Sequence, residues 1–148
     1  MGTCQVIKKG KTMFKKILVA LAVDGKEKNI VETAFQLAEQ LNSEISFIRV
    51  NHEFAGEMSM MMDSPKEITK EMILEEINGY GFGESLNSEN IIVLKAAKVD
   101  EAIAEKCSEY DLLVLGHRKM HDVKASIIDS DDEKIANEST CPVLIIDK

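Results

Sequence analysis

His117 and His121 stand four residues apart with Asp122 beside the second, a spacing at which a helix presents two imidazoles to one metal ion. That geometry requires a helix, and these residues follow a strand-like run into a loop-like stretch with no zinc-protease glutamate. They read as exposed loop histidines, and no metal site is assigned. Asp129-Ser130-Asp131-Asp132-Glu133 gathers carboxylates where a helix begins. A helix N-terminus attracts anions, so these acids read as the helix's own caps and dipole partners. Cys107 falls on an inward helical face without a histidine partner, which fits a structural thiol and not a nucleophile. No Ser/His/Asp set and no geometrically supported carboxylate pair is present, so the expectation is a protein that is not an enzyme.

Two further stretches invite a functional reading. Met58, Met60, Met61 and Met62, with Phe54 nearby, form a flexible, polarizable cluster. The Met58–Met62 loop is a candidate contact for a protein partner or ligand; its alternatives are a soft-metal site, a lid and a plain crossover tucked against the sheet edge. Gly79-Tyr80-Gly81-Phe82-Gly83 superficially suggests a dinucleotide loop, but it follows a helix where a true one follows a strand. It reads as an ordinary loop.

The elements that would position these residues alternate along the chain. Phe14–Leu21, Glu44–Val50, Asn90–Ala96, Asp111–Gly116 and Pro142–Asp147 are short apolar runs of the kind found in strands buried on both faces. Between them, Ile30 to Leu41 carries apolar residues at helical spacing, with Asn42 as its end. Residues 66–78 repeat that spacing through Ile68, Met72, Ile73 and Ile77 behind Ser64-Pro65, which reads as a cap followed by a first-turn proline. Val99–Tyr110 and Asp131–Glu138 complete the helices. This alternation predicts an α/β domain: a five-stranded, mostly parallel sheet with helices on both faces. Ligands of such sheets sit beyond the carboxyl ends of strands, where strand order reverses. The positions to inspect therefore follow Leu21, Val50, Ala96 and Gly116.

The chain has 148 residues, 45% hydrophobic and 30% charged, with 2 Pro and 8 Gly, the profile of one globular domain. Residues 1–12 read as a flexible leader and 13–148 as the folded domain, with Met13 an alternative start. The formal charge of −8 opposes binding to nucleic acid or anionic membranes, and no local basic patch is large enough to offset it. No run of 18 apolar residues spans a bilayer, and the leader lacks a secretory apolar core. Val6 replaces the Ser or Thr that a myristoylation signal needs. Three cysteines, Cys4, Cys107 and Cys141, are an odd number without metal-ligand spacing, which suits reduced thiols in a cytoplasm.

DLLVLGHRKMHDVKASIIDSDDEKIANESTCPVLIIDK, the last third, resembles the universal stress protein family. Its members close with a strand, Gly-x-x-Gly, nine residues, Gly-Ser or Gly-Thr opening a helix, and a Cys-Pro-Val-type strand. FKKILVALAVDG is similar to the family's first strand, and AAKVDEAIAEKCSEYDLLVLG to its third helix and fourth strand. The resemblance covers about 130 residues. It implies a Rossmann-like, HUP-type fold of the adenine nucleotide alpha hydrolase kind. It also implies a homodimer joined through the last strand, here Val143, Leu144, Ile145 and Ile146. An exposed apolar edge strand invites such pairing, which a two-fold dimer closes.

The nucleotide motif departs from the pattern. Gly116 and Ser130 match, whereas the second and third glycine positions hold Lys119 and Asp129. The nucleotide-contacting Asp after the first strand falls on Ala22, with Asp24 two residues on as a substitute that requires a local shift. Glycines at such sites let backbone approach phosphate, which Lys119 and Asp129 obstruct. Two unit charges about 6 Å apart repel by roughly 0.7 kcal/mol in water and about 3 kcal/mol at an effective dielectric near 20. Several carboxylates facing a triphosphate therefore disfavour it. The expectation is a non-catalytic cytoplasmic dimer with a protective or regulatory role, and no cofactor. The alternative is an ATP- or AMP-binding switch in which Mg²⁺ bridges Asp131 or Asp132 to phosphate, with Arg118, Lys119 and Lys124 adding positive charge.

Overall fold

The structure, a computed structural model, describes residues 14–22, 26–56, 66–117 and 130–147. Among these residues five strands form one sheet: β1 (Lys16–Ala20), β2 (Glu44–His52), β3 (Ile91–Ala96), β4 (Leu112–His117) and β5 (Val143–Asp147). Four helices separate them: α1 (Lys28–Leu41), α2 (Lys70–Gly79), α3 (Val99–Lys106) and α4 (Ser130–Glu138). The sheet order is β3-β2-β1-β4-β5, and every adjacent pair is parallel. The chain thus builds outward from β1 to β3, then returns to the other side of β1. Strand order reverses between β1 and β4.

Strand pleating divides the core in two. Ile17, Val19 and Leu21 of the first strand's run join Ile30, Val31 and Ala34 of α1 and Ile73 and Ile77 of α2 on one face. Leu18 points the other way, to Ile48, Leu113 and Leu115, where Ile103 and Cys107 from the α3 end and Ile135 of α4 cover it. Because both faces carry helices, the strands are apolar at successive positions instead of alternating. Asn42 ends α1 in the left-handed region at φ 54, and the next amide, Ser43 N–H, reaches back to the Ala38 carbonyl at 2.8 Å.

Three sequence expectations need correction. The second helix does not begin near residue 66: residues 66–69 are non-helical, and α2 starts at Lys70, with Thr69 as its cap accepting Met72 N–H at 3.3 Å. The reason is Asn51, only 1% exposed at the end of β2. Its amide donates to the Ile68 carbonyl at 2.9 Å and accepts Ile68 N–H at 3.0 Å. With both backbone groups held sideways by one side chain, Ile68 is unavailable to a helical ladder. His117 is the last residue of β4, not of a loop, and its register partner is Asp147. The third helix stops at Lys106, and residues 107–109 tighten into a 3₁₀ turn.

The stretch after α2 is a loop, as its glycines suggest, but an ordered one with two 3₁₀ turns. Gly81 takes φ 93, where a side chain is strained. Phe82 stacks on Phe35 of α1 at 4.8 Å and 9°, fastening the loop over the first core face.

Candidate functional site

The reversal between β1 and β4 places Ala22, two residues past β1, and Gly116, next to last in β4, at the position where open α/β sheets take ligands. Gly116 lies within β4, half-buried and in register with Ile146. Ser130 opens α4. Asp24, Lys119 and Asp129 lie outside the described residues, as do His121, Asp122 and the Met58–Met62 loop. Phe54, beside that loop, is 53% exposed and packs at 5.2 Å on His52.

What the structure adds is a polar network at the end of β1. Glu27, the residue before α1, is 1% exposed. Its carboxylate does not cap its own helix. It accepts Ala22 N–H at 2.7 Å. The Ala22 carbonyl in turn accepts from the Arg49 guanidinium at 3.2 Å, so both backbone polar groups of Ala22 are engaged by side chains of the chain itself. Arg49 Nε donates to Asn51 Oδ1 at 3.3 Å, which links this network to the Ile68 anchor. On the far side, Glu27 N–H donates to the Tyr80 hydroxyl at 3.2 Å, and that hydroxyl donates to Glu76 Oε1 at 3.1 Å.

The electrostatics follow from the geometry. Partial burial pulls the Arg49 guanidinium below its usual pKa, and the neighbouring Glu27 carboxylate opposes that shift. Burial pushes the Tyr80 hydroxyl up, and the Glu76 and Glu27 charges add to it while the Glu27 amide works against it. A cation, a carboxylate and a capped strand end therefore occupy the crevice side of β1 and β2. Glu27, Arg49, Asn51, Glu76 and Tyr80 were not identifiable as a group from sequence. One signal was present: Arg49 interrupts the apolar run EISFIRV, and a charge in such a strand requires partners.

A second concavity, of about 730 Å³, lies at the opposite, amino end of the sheet. Lys16, Ile45, Phe82, Leu86, Asn90 and Tyr110 are among its lining residues, and Lys16 Nζ sits 5.7 Å from the Tyr110 ring centre. It is not where strand order reverses.

An all-parallel sheet covered on both faces, with order 3-2-1-4-5 reversing between its first and fourth strands, defines a Rossmann-like α/β domain. Residues 13–147 match the universal stress protein family, and the chain belongs to it. Universal stress protein YxiE of Bacillus subtilis (strain 168) is 25% identical over 147 residues, covering 90% of this chain and 99% of that protein. A universal stress protein solved in complex with cAMP superposes with a TM-score of 0.60 at 19% identity, covering 92% of this chain and 98% of the other. A universal stress protein from Archaeoglobus fulgidus gives a TM-score of 0.59 at 18% identity, over 90% and 94% of the two chains. These structures establish the fold. Among the described residues no helix is long and apolar enough to cross a membrane.

Proposed function

We propose that this universal stress protein is a non-catalytic, cytoplasmic homodimer that acts in protection or regulation through protein contacts, without ATP as a required ligand. The observation that carries this reading is the double engagement of Ala22. Where family resemblance calls for a nucleotide-contacting Asp, the chain has a methyl group, and the adjacent backbone donor is already taken by a buried carboxylate. A ligand phosphate near Glu27 meets repulsion, and a ligand base competing for Ala22 must first break a 2.7 Å hydrogen bond. Lys119 and Asp129 in place of motif glycines support the same conclusion from sequence.

The homodimer is supported by β5. Among the described residues it is an edge strand, paired with β4 alone, and it exposes Leu144 at 36% and Ile145 at 46%. Pairing with a second copy covers both the apolar side chains and the open edge. The Met58–Met62 loop, with exposed Phe54 beside it, is the proposed contact for a different protein partner.

A second reading is favoured by one comparison, the relative solved with cAMP. In it the chain is a nucleotide-binding switch with Arg49, already at the crevice, supplying positive charge and Gly116 and Ser130 flanking the phosphates. Acid extraction of the purified protein, followed by chromatography for adenine nucleotides, separates the two. The expected result is no stoichiometric nucleotide. About one nucleotide per chain decides for the switch.

A further inference from the structure

Cys107 and Cys141 are distant in sequence but meet on the second core face, between the sheet and α3 and α4. Cys107 is fully buried at the end of α3. Cys141 is half-exposed, packs against the same cluster, and stands two residues before β5. Ser139 joins them: its hydroxyl donates to the Cys141 carbonyl at 2.9 Å, accepts Cys141 N–H at 3.3 Å and lies 3.7 Å from Cys141 Sγ. The Cys107 thiol interacts with the side chains of both Ser139 and Cys141. Two free thiols thus share one cluster beside the Ser139 hydroxyl, Cys141 partly exposed and Cys107 buried.

We propose that Cys107 and Cys141 are a redox pair that closes to an intramolecular disulfide when the protein meets hydrogen peroxide. The division of labour follows from access. The Cys141 thiolate attacks the peroxide oxygen, the O–O bond breaks, and the departing hydroxide takes up the thiol proton as water, leaving Cys141 as a sulfenic acid. The Cys107 sulfur then attacks the Cys141 sulfur. The S–S bond forms, the S–O bond breaks, and the second hydroxide leaves as water with the Cys107 proton. Two thiols lose two electrons and one peroxide is reduced to two waters. Burial pushes the Cys107 thiol up to about 11, which makes it the poorer first target, and its place beside Cys141 makes its later attack intramolecular. The new bond fastens the end of α3 to the entry of β5, and so couples oxidation to the strand proposed above as the dimer edge.

The test uses full-length protein carrying Cys4→Ser, so that Cys107 and Cys141 are the only thiols. After treatment with hydrogen peroxide, two thiols per chain should be lost together and the intact mass should fall by about 2 Da. Trypsin without reductant should yield residues 107–118 linked to residues 135–148, and dithiothreitol should separate them. In a second variant with Cys107→Ser added, Cys141 should instead proceed to sulfinic acid with no internal cross-link. Sulfinic acid at Cys141 while Cys107 stays reduced in the first variant, or a Cys141–Cys141 link between chains, overturns the proposal.

Discussion

The Glu27 carboxylate and the Ala22 amide, five residues apart in sequence, meet at 2.7 Å between the end of β1 and the start of α1. That contact spends a nearly inaccessible carboxylate on the backbone of the strand end that faces the crevice. The carbonyl of the same residue accepts from Arg49, so the two peptide groups flanking the Ala22 Cα are held by side chains of opposite charge. Partly buried charges persist only when paired and hydrogen-bonded, and here each is hydrogen-bonded to the backbone of Ala22 and lies in the other's field.

Removing Glu27 should therefore cost more than its surface position in the sequence suggests. Glu27→Ala leaves Ala22 N–H without its acceptor and Arg49 without its counter-charge, and is expected to lower unfolding free energy by about 1–3 kcal/mol. Denaturant titration measures it. Adding Arg49→Met should recover part of the loss, because the orphaned cation goes too. Full additivity of the two changes contradicts the clamp.

Much of the fold was legible because a doubly covered parallel sheet writes its strands as apolar runs, and KILVA or LLVLG admits little else. The end of α1 was equally legible from Asn42, whose αL conformation the sequence pattern anticipates. The start of α2 was not. Ile68 carries the apolar spacing of the helix yet lies outside it, because Asn51 holds its backbone, and no local pattern encodes a contact with a residue 17 positions away. The site divides in the same way. Ala22 and Gly116 could be named from the strand alternation and the motif spacing, whereas Glu27, Arg49 and Tyr80 converge only through tertiary packing.

The β5 edge leads to a direct expectation. Light scattering at micromolar concentration should give about twice the 16.5 kDa chain mass. Leu144→Lys with Ile145→Lys places charges on the exposed positions of the edge, and should shift the population to single chains while far-ultraviolet dichroism stays unchanged. A 16.5 kDa species from the unaltered protein contradicts the dimer.

Stability should fall at alkaline pH. Burial raises the Cys107 thiol from the ordinary 9.0 to about 11, so between these values the unfolded chain releases a proton that the folded chain retains. The unfolded state then binds fewer protons, and unfolding becomes easier as pH rises through this window. Tyr80, raised for the same chief reason, acts in the same direction at the upper end. Thermal midpoints measured from pH 8 to 11 should decline less steeply in Cys107→Val than in the unaltered protein. An identical slope contradicts the burial argument.

Calorimetric titration with MgATP reads the crevice itself. The unaltered protein should give no saturable heat up to millimolar nucleotide, and the variant with Ala22→Asp, Lys119→Gly and Asp129→Gly should bind measurably more tightly. Micromolar binding at one nucleotide per chain by the unaltered protein, or a triple variant no better than its parent, contradicts the account.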